Sequence, residues 1–160
     1  MYTREQIESA VKAKGYKWFE NGDYNVNIVG IRNMETGDRV TNRFDDHLTI
    51  SYKVDGEWCY EIFNCTTDPG DDWMDKPMLE KGCAILVPGQ YRGSHKLRLH
   101  QGKYLALGQH RPVKVYRDRD KDGMYDFDET TIDEGLFGIN IHRATKYAGK
   151  TSTYVDKWSA

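Results

Sequence analysis

Val113-Lys114-Val115-Tyr116-Arg117, Asp118-Arg119-Asp120-Lys121-Asp122-Gly123-Met124-Tyr125-Asp126-Phe127-Asp128-Glu129 and Phe137-Gly138-Ile139-Asn140-Ile141-His142 are three pieces of one stretch, and the rest of the chain is read around it. The outer pieces alternate apolar and other residues at period two, which predicts strands, and the middle piece is an acidic loop. That loop fits the twelve-residue calcium template: Asp118, Asp120, Asp122 and Asp126 at positions 1, 3, 5 and 9, the Met124 carbonyl at 7, and Glu129 at 12. Gly123 falls at the sharp turn. Five ligand carboxylates so close together repel one another, and a hard dication asks for that density of oxygen. Ca2+ is therefore the expected cofactor. The competing reading is a solvated acidic turn neutralised by Arg117, Arg119 and Lys121. Because strands rather than helices flank the loop, the ion is expected to staple two strands and not to work as an opening sensor.

Outward from this stretch the pattern stays β-rich. Leu48, Ile50, Tyr52 and Val54 alternate up to Asp55-Gly56, a two-residue hairpin turn, after which Trp58, Tyr60 and Ile62 resume the pattern to Thr66. Residues 24–31, 83–87, 95–99 and 104–107 read as further strands, and 67–81 as a long loop. Thr3 and Gln6 form a capping box before Ile7, Ala10 and Val11, and Gly15 is placed to end that helix. The expected architecture is one β-dominated α+β domain over 1–160. It has an N-terminal helix 3–15, a β core 24–142 arranged as a mixed sheet, sandwich or barrel, and a polar tail 143–160.

Composition narrows the function classes. At 160 residues the chain is long enough for a self-sufficient core. A formal charge of -2, with no Lys/Arg cluster, argues against a nucleic-acid partner. No run approaches membrane-spanning length, and the amino terminus lacks the apolar core of a secretory signal. The expectation is a soluble protein made in the cytoplasm, with no membrane partner. Cys59, Cys65 and Cys83 are read as reduced, and no zinc spacing is present.

Ile139-Asn140-Ile141-His142, followed by Ser159-Ala160, resembles the closing signature of the L,D-transpeptidase catalytic domain family, in which a histidine precedes a Ser-x-Gly-Cys element by about twenty residues. Thr66-Thr67-Asp68-Pro69-Gly70 and Ala84 to Tyr91 resemble the strand and turn before that family's cleft. The resemblance implies action on peptidoglycan stem peptides by a cysteine thiolate, with His142 as its base. It implies that Asn140 or a backbone carbonyl orients the ring, and that Ser159 shapes the turn before the nucleophile. His142 is expected to face a cleft lined by the segments after Pro69 and at Pro88-Gly89. The chain departs from the family in having Arg143 where glycine is usual, and the cysteine would fall two positions past Ala160. The run from Gly15-Tyr16 to Val155-Asp156-Lys157-Trp158 is also similar to uncharacterised proteins of gut-bacterial phages, which implies a lytic or virion-associated role. The alternative is a non-catalytic, calcium-stabilised β module that binds a polymer or a protein partner.

Overall fold

The computed structural model describes residues 1–145, 147–156 and 159. Lys157, Trp158 and Ala160, which close the stretches carrying the resemblances, lie outside them. The chain divides into two compact units, Met1–Asn33 with Asp45–Cys65, and Met34–Phe44 with Thr66–Ala160. The β-dominated α+β expectation holds: the described residues form three small antiparallel sheets and no closed barrel.

In the first unit, α1 (Arg4–Ala13) starts at the capping box read from the sequence. Gln6 N donates to Thr3 Oγ1 at 3.3 Å, and Thr3 N donates to Gln6 Oε1 at 2.9 Å. Gly15, at φ +73, ends the helix as expected. The strands β1 (Asn27–Ile31), β2 (Asp46–Val54) and β3 (Glu57–Cys65) lie in the order β1-β2-β3. Asp55 and Gly56 both have positive φ, 51° and 79°, so the two-residue turn has the primed geometry that an Asp-Gly pair favours. Both of their N–H groups donate to the Asp23 carboxylate. Strand β1 begins later than the alternation suggests because Tyr24 is left-handed, at φ 57°, and its N–H goes to Lys53 O. Trp18 is buried against Trp58, and the Arg4 guanidinium lies 4.6 Å from the Trp58 ring.

The second unit holds the remaining strands. β4 (Ala84–Leu86), β7 (Val113–Arg117) and β8 (Asp133–Gly135) form one sheet, and β5 (His95–His100) pairs with β6 (Tyr104–Gln109). Its core is built on Met74, Ile85, Val113, Val115 and Val155, each at most 1 % exposed. Two expectations are corrected here. The 67–81 loop contains a one-turn helix, α2 (Asp71–Asp75). Its acidic first turn suits the helix dipole, and it is anchored by the buried Met74, whose burial contributes about 2 kcal/mol. A single turn has too few residues to show a period.

Residues 137–142 are not the second flanking strand. Gly138 turns left-handed at φ +76, and the Gln109 side chain replaces a neighbouring strand. Its Oε1 accepts from Phe137 N at 2.9 Å and from Ile139 N at 3.1 Å. The strand that does pair with β7 is β8, and the 137–142 segment touches β6 at one bridge, Leu107 with Ile141.

Gly82 fixes where β7 ends. A Cβ there would stand 1.5 Å from the Asp118 carbonyl oxygen, and φ is +88. Gly82→Ala is therefore expected to cost at least about 3 kcal/mol in a urea titration. Gly102→Ala, also left-handed but facing open space, is expected to cost only about 1 kcal/mol. Equal losses would show that the close approach to Asp118 is not what glycine supplies.

Candidate functional site

Two clusters in the second unit carry the candidate chemistry. The first is built on the end of the β5–β6 hairpin. A three-residue loop, Gln101-Gly102-Lys103, has Gln101 at φ 49° and Gly102 at 71°, and it leaves His100 directly opposite Tyr104. Ile141 then docks on β6, since Leu107 N donates to Ile141 O and Ile141 N to Leu107 O at 3.0 and 2.8 Å. That docking sets the half-buried His142 ring on His100, with centroids 4.3 Å apart and planes 16° from parallel.

The His142 Nδ1 lies 2.9 Å from Arg143 O. A carbonyl only accepts, so Nδ1 carries the proton of the neutral ring and Nε2 keeps its lone pair. Tyr104 frames the ring. Its hydroxyl donates to Arg143 O, and the Arg143 guanidinium lies 4.0 Å from its ring. Burial, with His142 as the next cause, holds His100 below its ordinary value.

Of the two orienting groups open at the sequence level, the backbone carbonyl is the one that reaches His142. Asn140 Oδ1 accepts instead from Gln109 N at 2.9 Å and from Arg98 at 3.5 Å, tying the segment to the hairpin. A cleft of about 230 Å³ adjoins this cluster, walled by His100, Tyr104, Ala144, Thr145, Tyr147 and Asp156. Contrary to the expectation, neither His142 itself nor the segments after Pro69 and at Pro88-Gly89 are among its walls; His142 adjoins it through His100. Asp156 also closes a turn with the buried Ser159: Ser159 N donates to Asp156 O at 3.0 Å, and Asp156 N to Ser159 Oγ at 2.8 Å. His100 and Tyr104 stand at this candidate site, although the sequence reading did not place them beside His142. The signal for them was the Gln101-Gly102 turn, which puts them opposite one another.

The second cluster is the acidic loop. Ligand atoms of Asp118, Asp120 and Asp126 lie within 4.8 Å of one another; Asp122 and Glu129 are not in that group. Asp122 Oδ1 accepts from Met124 N at 2.9 Å, and Glu129 opens a short 3-10 turn, η1 (Glu129–Thr131), whose cap is Asp128. Asp118 is fully buried, and its Oδ2 has no hydrogen-bond partner. Its neighbour Arg117, equally buried, spends its guanidinium on Gly82 O and Asp133. Two of its three guanidinium nitrogens are thus committed elsewhere, and its Nε is buried without a partner.

The loop's inner residues reach another segment. Met124 bridges Arg39, Tyr125 N donates to Asp38 O at 2.7 Å, and the Tyr125 hydroxyl donates to Pro69 O at 2.8 Å. All three cysteines are free, and burial pushes the Cys83 thiol up to about 11, which keeps it protonated and unreactive. No helix among the described residues is long and apolar enough to cross a membrane. No family model, curated protein or solved structure matches the chain.

Burial, with the repulsion of Asp126 and Asp120 behind it, pushes the Asp118 carboxyl up to about 6, from 3.8 when free; the Lys121 N–H works the other way. A carboxyl whose value is raised in the fold supports folding fully below its unfolded value. That support is lost as pH rises through the folded one. Chelator-treated protein is expected to lose about 2 kcal/mol from this group between pH 4 and pH 7.5. Urea titrations of wild type and Asp118→Asn across that range are the check. The variant's profile should be flatter by that amount, and parallel profiles would contradict the assignment.

Proposed function

We propose that this protein acts on peptidoglycan stem peptides in the manner of the L,D-transpeptidases, with His142 as the general base and a calcium ion in the 118–129 loop as its stabilising element. The observation that carries the reading is the His142 ring: Nδ1 is engaged by Arg143 O, Nε2 keeps a lone pair, and the ring stacks on a wall of the cleft that Asp156 also lines. Because Asp156 holds the Ser159 turn, the segment that precedes the expected nucleophile is anchored at the same cleft. The protonated Cys83 is a poor nucleophile; the thiol this reading needs is the one that the resemblance implies two positions past Ala160.

In the reaction, His142 Nε2 takes the thiol proton as sulfur attacks the stem-peptide carbonyl carbon. The same proton then passes to the departing amine, leaving a thioester. An amine of a second stem peptide, or water, cleaves that thioester and regenerates the thiol. Tyr104 and Arg143 hold the imidazole in the tautomer that can accept.

A specific observation favours the other reading, a polymer-binding or protein-binding module. Leu97, Leu99 and Leu105 share one face of the β5–β6 hairpin and are all more than half exposed, an apolar stripe that a partner would cover.

Three proteins separate the two readings: the 160-residue chain, the chain continued through Gly-Cys after Ala160, and that longer form with His142→Ala. Each is incubated with purified sacculi, and released or exchanged stem peptides are followed by mass spectrometry. Turnover is expected only in the longer form, with His142→Ala lowering it on the order of 10²- to 10⁴-fold. Equal activity in the short and long forms would overturn the mechanism. Sacculus binding without turnover in all three would favour the module.

A further inference from the structure

Resting on the calcium reading of the 118–129 loop, we infer that the ion is held by Asp118, Asp120 and Asp126 and that it sets the position of the Ser159 turn. It acts on that turn through the 38–42 segment. The cluster alone would say little. What points to a ligand is the fully buried Asp118, whose Oδ2 lacks a partner while its ligand atoms converge with those of Asp120 and Asp126. A buried carboxylate oxygen without a donor demands a cation or a proton, and the adjacent Arg117 is bound to Gly82 O and Asp133.

The route outward is continuous and lies within the second unit. Past the turn at Gly123, Met124 bridges Arg39 and Tyr125 N binds Asp38 O, while the Tyr125 hydroxyl binds Pro69 O. Asn42, at φ 52°, then makes two contacts at once: its Oδ1 accepts from Asp71 N at 2.9 Å, and its carbonyl accepts from Val155 N at 2.9 Å. Gly70 closes against the same pair, since a Cβ there would stand 2.9 Å from Asn42 Oδ1 and 3.1 Å from Val155 Cγ1. Val155 is buried, and the next residue is Asp156, which holds Ser159. Drawing Asp118, Asp120 and Asp126 together fixes the loop between Asp120 and Asp126. That loop is the surface on which the 38–42 segment seats Val155.

Two measurements on the 160-residue chain test this. Terbium luminescence, excited through Tyr125, reads the site and is competed by Ca2+. Asp118→Asn and Asp126→Asn are each expected to weaken binding at least 30-fold, with far-UV circular dichroism reporting whether each variant stays folded. Amide hydrogen exchange with and without Ca2+ reads the consequence. Val155 N and Tyr125 N are expected to gain at least tenfold protection, against less than twofold for the amides of β2 and β3 in the other unit. Absence of terbium and Ca2+ binding overturns the site and the calcium reading with it. Binding with unchanged Val155 exchange, or with protection raised equally everywhere, overturns the link to the Ser159 turn and leaves the calcium site standing.

Discussion

A carboxylate taken wholly out of water at the end of β7 is the constraint around which the second unit is arranged. Asp118 follows a strand of buried valines, and its backbone is pressed against Gly82 closely enough to exclude a methyl group, so it has no room to swing to solvent. Its N–H is held by Cys83 O and one carboxylate oxygen by Lys121 N. The other oxygen has no hydrogen-bond partner, and the carboxylate has a ligand atom within 4.8 Å of those of Asp120 and Asp126. Isolating a charge in this way is costly unless something cationic or protic meets it. The loop that follows places two more acidic side chains there instead of an amide or a lysine. The arrangement is consistent with electrostatics only when a proton or a cation is included.

The histidine cluster depends on backbone placement of a different kind. His142 belongs to no regular strand. It is placed by one bridge to Leu107, by a glutamine that substitutes for a ladder, and by Asn140 reaching back to the hairpin. His95 adds a further tie, its Nε2 lying 2.7 Å from Ile139 O. A segment tied mainly by side chains can follow a path that a strand cannot, which lets His142 meet His100 and Tyr104 at the hairpin's end. The same freedom comes with fewer backbone hydrogen bonds, so its position relies on Gln109 being buried and rigid.

How much of this was legible from residues alone depended on whether the signal was local. The Asp55-Gly56 turn, the Thr3 capping box and the spacing of the acidic loop are short-range devices, and each appears where the chain order puts it. The reading of 137–142 as a strand failed because alternation reports a pattern of side chains and cannot report what hydrogen-bonds to them. Here the partner was a side chain 28 residues away. The roles of Arg39 and Asn42 were invisible for a related reason: each depends on one or two contacts with residues more than eighty positions later, and nothing in the local sequence announces them. Within the acidic loop the template anticipated six ligands, and the fold gathers the side chains of positions 1, 3 and 9.

The 34–44 segment is flanked on both sides by the first unit yet belongs to the second, and this has a consequence for synthesis on the ribosome. The strands β1, β2 and β3 need nothing beyond Cys65, so their sheet can form once that residue has emerged. Beyond its own local turns, the excursion between β1 and β2 must wait for Met124, and then for Val155, before its long-range backbone partners exist. At ordinary elongation rates that interval is roughly 5 to 18 seconds. Throughout it the nascent chain carries a loop that lacks these later contacts and is held at both ends by a folded hairpin sheet. The loop is thereby kept short and open, and its closure awaits residues made more than eighty positions later.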